Sequence, residues 1–115
     1  MTDVSPRNSF APTLIAVICH DGPDSQPARK AAAQAHLRYV ESILDRLALA
    51  GPLYDSAGER MIGSIYLFKT VDRDEARRLL EADPYFAAQL WRSIEILPFL
   101  PAAGEMVGGT TWQRG

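Results

Sequence analysis

TLIAVICHDGPDSQPARKAAAQAHLRYVESILDRLALAGPL, running from Thr13 to Leu53, decides how the chain is read. Its first part, TLIAVICH (Thr13 to His20), is a nearly continuous apolar run rich in β-branched residues. That is the pattern of a central strand. DGPDSQP is a turn-rich loop. Ser25 or Asp24 is placed to cap the helix that follows, with Pro27 near its first turn. From Pro27 to Ala50 the spacing is helical. An apolar stripe passes through Ala32, His36, Val40, Ile43, Leu44 and Leu47, on one face of the helix. Gly51-Pro52 ends that region, and a short strand is expected to start near Leu49 or Gly51.

Outward from this segment the alternation continues. Asp55 to Arg60 (DSAGER) reads as a hairpin loop containing glycine. Ile62 to Lys69 is the next strand. Asp72 to Ala82 is a second helix, with Asp72 as N-cap and Glu75 at the capping-box position. Pro84 breaks or restarts it. Arg92 to Phe99 is the last strand. The order is β-α-β-β-α-β, so the expected class is α+β: a ferredoxin-like, four-stranded antiparallel sheet with both helices on one face. The expected organisation is a mobile N-terminal arm over 1–12, one domain over 13–99, and a tail over 100–115 to which no element is assigned.

Composition bounds what such a domain does. The chain has 115 residues, 47% of them hydrophobic, and a formal net charge of −2. That is one domain with a real core. There is no basic run or stripe, which argues against nucleic-acid binding. No apolar stretch is long enough to span a bilayer, and no secretory signal pattern opens the sequence. Cys19 is the single cysteine. It excludes an intrachain disulfide and fits a reducing, cytoplasmic setting. No phosphate loop, dinucleotide fingerprint or spaced ligand cluster is present, so neither a cofactor nor a metal site is expected. In the first strand Leu14, Ala16 and Ile18 alternate with Ile15, Val17 and Cys19. Both faces are therefore apolar, yet two helices cover only one. A second copy of the chain, in a homodimer, is the economical cover for the other.

His36 is the residue that points to chemistry. It sits centrally on the apolar helix stripe, where an imidazole must find a hydrogen-bond partner or remain costly to bury. Histidine is also the side chain that titrates nearest neutrality. It is therefore a satisfied core histidine or a catalytic one. His20, beside Asp21, reads as an exposed loop residue. Asp83 precedes a proline and is biased to extended geometry, which suits an N-cap for the PYFAAQL turn. Tyr39, Tyr54, Tyr66 and Tyr85 are available to line a pocket for a ring and are equally well explained as packing.

AHL around His36, AGPL (Ala50 to Leu53), IGS (Ile62 to Ser64), EADPYFAA (Glu81 to Ala88) and IEILPF (Ile94 to Phe99), in that order, resemble the YCII-related family over about Thr13 to Phe99. The resemblance implies a ferredoxin-like fold, dimerisation as a dimeric α/β barrel, and a His/Asp centre at His36 and Asp83. It also implies kinship with a dehydrochlorinase and, more distantly, with muconolactone isomerases. On this reading Asp83 bonds an imidazole nitrogen and fixes its tautomer. Ser64 holds a substrate oxygen, and Gly51 and Pro52 shape a cavity wall. One departure stands out: many relatives carry an arginine three residues before the helix histidine, where this chain has Ala33. Arg29, one turn further back on the same face, is a candidate substitute, although an arginine near a helix start is ordinarily solvated.

Two functions from different classes follow. One is a cofactor-independent small-molecule enzyme, with His36 as general base or acid and Asp83 behind it, catalysing a lyase or isomerase step beside a carbonyl or on a hydroxylated ring. The other is a non-catalytic dimeric module that binds a small molecule or a partner in the same cleft. A third reading makes His36 and Asp83 structural only.

Overall fold

The computed structural model of the chain describes residues 10–112. The arm expected over Met1 to Pro12 thus lies almost wholly outside the described residues. Four strands form the main sheet: β1 (Leu14–Asp21), β2 (Leu47–Tyr54), β3 (Met61–Phe68) and β4 (Trp91–Phe99). Their spatial order is β2-β3-β1-β4, and each neighbouring pair is antiparallel. With α1 (Ser25–Ser42) between β1 and β2, and α2 (Arg73–Glu81) between β3 and β4, this is the ferredoxin-like arrangement read from the sequence. A short helix, α3 (Pro84–Ala87), follows α2.

The core lies between the sheet and the helices. Ile15, Val17 and Cys19 of β1 and Phe68 of β3 are fully buried with Tyr66, against Ala76 and Leu80 of α2 and Ile43 beyond α1. The opposite side of the same strands is open. Leu14, Ala16 and Ile18 stand in register with Phe99, Leu97 and Glu95 of β4, and Ala16 and Ile18 with Leu67 and Ile65 of β3. Leu97 is 47% exposed there and Leu49 of β2 is 49% exposed. An antiparallel sheet tolerates one wet face, but this one is apolar.

Several local expectations are corrected. The helix from the Pro27 region ends at Ser42, and a 3-10 turn over Leu44–Arg46 leads into β2, which begins at Leu47. Leu44 and Leu47 therefore leave the helix stripe, and Leu44 is 62% exposed. The Ser42 hydroxyl turns back to the Tyr39 carbonyl at 2.6 Å, a bond that competes with helix continuation. Pairing of Leu47 with Phe68 then outweighs local helical propensity. Neither Asp24 nor Ser25 caps α1 with its side chain; Asp24 is left-handed, at φ 62°. Asp72 does cap α2, accepting from the amides of Asp74 and Glu75. Glu75 does not complete a capping box, because its carboxylate accepts from Thr70 Oγ1 at 2.7 Å. His20 belongs to β1 rather than a loop. The tail forms a two-stranded hairpin, β5 (Ala103–Gly104) with β6 (Gly109–Thr110).

Candidate active site

The site is built where α1 passes over the edge of the sheet formed by β2 and β3. Asp83 follows the end of α2 and caps α3, accepting from the Tyr85 amide at 2.9 Å, with Pro84 in the first turn behind it. The proline thus sets the carboxylate in extended geometry at a helix start, as its position in the sequence suggested. The Tyr66 hydroxyl, rising from β3, donates to Asp83 Oδ2 at 2.6 Å. His36 Nδ1 lies 2.9 Å from both carboxylate oxygens. Asp83 is 1% exposed. Its oxygens are therefore satisfied from three elements: α1, α3 and β3.

A carboxylate facing Nδ1 places the hydrogen on that nitrogen. Nε2 is then the lone-pair nitrogen. It has no partner among the described residues and is not sealed from solvent. The His36 ring is stacked on Tyr85, with centroids 3.9 Å apart and planes 11° from parallel. Tyr85 and Tyr66 each meet Trp91 edge-on. The imidazole is thus held at one nitrogen and along one face.

A cavity of about 310 Å³ opens beside it, lined by His36, Leu37, Val40, Pro52, Tyr66 and Tyr85 among others. Gly51 and Ser64 also line it. A Cβ added at Gly51 would meet nothing within 4 Å, so no close approach demands glycine there. Ser64 is 6% exposed, and its hydroxyl accepts from Arg29 Nη2 at 3.2 Å. The next residue back has a stronger constraint: a Cβ on Gly63 would stand 2.4 Å from the Cys19 carbonyl oxygen. Gly63 thereby lets β3 lie close to β1, and its own carbonyl accepts from Arg29 Nη2 at 2.8 Å.

Arg29 is not solvated. It is 6% exposed, and its fork is bidentate on Asp21, with Nε–Oδ2 at 2.7 Å and Nη2–Oδ1 at 2.9 Å. Burial disfavours the cation, but the bonds and charge of Asp21 outweigh it, and the guanidinium is held more firmly protonated than usual. Asp21 was not singled out in the sequence; an acid at a strand end gives no local sign that it will meet an arginine eight residues on. Burial, followed by the charge of Asp83 and its hydrogen bond, pushes the Tyr66 phenol far up, so it remains a donor. Burial, with Asp83 and Asp21 nearby, pushes the Cys19 thiol up to about 12.

The fold and the site together define a ferredoxin-like α+β domain with a carboxylate-held histidine at an apolar cavity. The chain belongs to the YCII-related domain family, whose model matches residues 13–100. Among solved structures it is similar to the 5-chloro-2-hydroxyhydroquinone dehydrochlorinase of Burkholderia phenoliruptrix AC1100, in complex with 2,5-dihydroxybenzoquinone. The identity is 24% and the TM-score 0.68, over 80% of this chain and 96% of that one. Among curated proteins none matches. No helix among the described residues is long and apolar enough to cross a membrane.

Proposed function

We propose that this chain is a small-molecule enzyme that moves a proton with His36 Nε2, in a lyase or isomerase reaction beside a carbonyl or on a hydroxylated ring. The observation that carries this reading is the His36–Asp83 contact at 2.9 Å. It holds Nδ1–H and leaves Nε2 without a partner among the described residues, on a residue that lines a largely apolar cavity. In that role Nε2 takes a proton from the substrate, and Asp83 supports the imidazolium that forms. The proton then returns at another position, as in an isomerase, or a leaving group departs, as in a lyase. Ser64, Gly51 and Pro52 form the wall against which the substrate lies. The similar dehydrochlorinase, with its dihydroxybenzoquinone ligand, supports a hydroxylated ring as the substrate type.

The active form in this proposal is a homodimer that closes the two open sheet faces on each other as a dimeric α/β barrel. It works in a reducing compartment such as the cytoplasm, consistent with one buried free cysteine.

The test is incubation with 5-chloro-2-hydroxyhydroquinone and unchlorinated hydroxylated rings. Chloride release and exchange of ring hydrogen for deuterium are the readouts. Wild-type turnover is expected, and His36→Ala should lower it by about 10²–10⁴-fold while leaving the protein folded. Ligand binding without turnover or exchange would favour the non-catalytic module. An unfolded His36→Ala, with full activity in any folded fraction, would make the residue structural.

A further inference from the structure

Tyr85 does more than pack against the imidazole. Its residue is 5% exposed, yet it lines the cavity beside Nε2. Its amide is spent on Asp83 and its ring on His36, but its hydroxyl hydrogen has no acceptor among the described residues. The hydroxyl oxygen is not sealed off either, on a residue that lines the cavity. Arg29 also stands over the ring, with its guanidinium carbon 5.3 Å from the ring centroid. Arginine offers only donors. Toward Arg29 the Tyr85 oxygen can only accept, so the O–H is turned away from the cation and toward any oxygen in the cavity. Asp21 fixes the guanidinium in this position through two bonds. His36 and the Tyr85 hydroxyl are thus two polar groups of opposite sense, an acceptor and a donor, on one apolar chamber.

We propose that the Tyr85 hydroxyl donates a hydrogen bond to the substrate oxygen on which negative charge gathers as His36 Nε2 removes a proton. This rests on the reading of the cavity as a proton-transfer site and adds the group that receives the charge. The C–H bond breaks and its proton goes to Nε2. The released pair forms a C=C bond to the carbonyl carbon, and the carbonyl π pair moves to the oxygen. Tyr85 keeps its proton throughout and only shares it. Burial raises its phenol, though Arg29 opposes this, which suits a donor that is not itself consumed. Return of the proton from Nε2 restores a neutral product, and no other reactant is needed.

The experiment uses 2,5-dihydroxybenzoquinone as probe, a ring whose oxygens carry negative charge, titrated against the full chain by its visible absorption. Tyr85→Phe keeps the ring stack and the backbone cap and removes only the hydroxyl. Its affinity is expected to fall by about tenfold or more, the worth of a hydrogen bond to a charged oxygen. Tyr39→Phe is the control, since the Tyr39 hydroxyl donates to the Leu79 carbonyl at 2.5 Å; its affinity should not change. Site-specific 3-fluorotyrosine at position 85, a stronger donor of nearly unchanged shape, should tighten binding, and it decides the matter if Tyr85→Phe does not fold. Equal affinity in the wild type and the position-85 variants would overturn this inference alone. Failure of the wild type to bind the quinone would overturn the cavity reading, and this inference with it.

Discussion

The Tyr66 hydroxyl donates to Asp83 Oδ2 at 2.6 Å, tying the middle of β3 to the residue that starts α3. The sheet thereby fixes the carboxyl that in turn faces His36. Tyr66 is 2% exposed, so this bond is made away from water.

Tyr66→Phe should therefore cost about 1.5–3 kcal/mol of stability, the range for a hydrogen bond to a charged acceptor. Urea unfolding measures it. If the wild type turns over a hydroxylated ring, its kcat should fall while KM stays nearly level, because Asp83 loses one of its holds. Unchanged stability would mean the bond contributes nothing net.

The order of elements was legible in the sequence because the near-continuous apolar run of β1 and the Asp72 cap of α2 are local signals. Asp72 and Asp83 sat at helix starts as their neighbours implied. What it did not carry was nonlocal. The strand expected from Leu49 or Gly51 starts at Leu47, because β3 offers that residue a partner where the spacing with the residues before it is helical. Arg29 looked solvated because its partners, Asp21, Gly63 and Ser64, come from β1 and β3 rather than from its own helix. The hold of Tyr66 on Asp83 spans 17 residues and has no local signature.

Asp21→Ala should be the most disruptive single change near the cavity. Both side chains of the Arg29–Asp21 pair are below a tenth exposed, and removing one leaves a buried cation without its counter-charge. The expected cost is about 3–5 kcal/mol, a large part of the stability of an ordinary domain. A shift in urea midpoint no larger than that of an exposed control would show that Arg29 swings out to water instead.

Stability should fall at alkaline pH, beginning near pH 9. Below that, the folded and unfolded chains both hold the Cys19 and Tyr66 protons, and their contribution is fully present. An unfolded thiol ionises near 9.0 and a phenol near 10.0. Burial raises both groups in the fold, Cys19 to about 12 and Tyr66 beyond the usual phenol range. As pH rises from 9 toward 12, the unfolded chain therefore releases protons first and is favoured. Denaturant melts across this window should show the decline, and Cys19→Ala should flatten its first part. Iodoacetamide at pH 8 should leave native Cys19 unmodified and label it on unfolding. Rapid native labelling would contradict the burial.

Leu97→Glu tests the open face of the sheet. Leu97 is 47% exposed and stands in register with Ala16, between the Glu95 and Phe99 positions of β4. In a lone chain a carboxylate there meets water, and the thermal stability of the fold itself should change little. In a homodimer closed through this face, the new charge is buried beside Glu95 of its own strand and against an apolar partner, at a cost no solvent offsets. Sedimentation at micromolar concentration should therefore give a dimer for the wild type and a monomer for Leu97→Glu. Monomeric wild type would remove the basis for the barrel. A dimeric Leu97→Glu would place the contact on some other surface, leaving the apolar face uncovered.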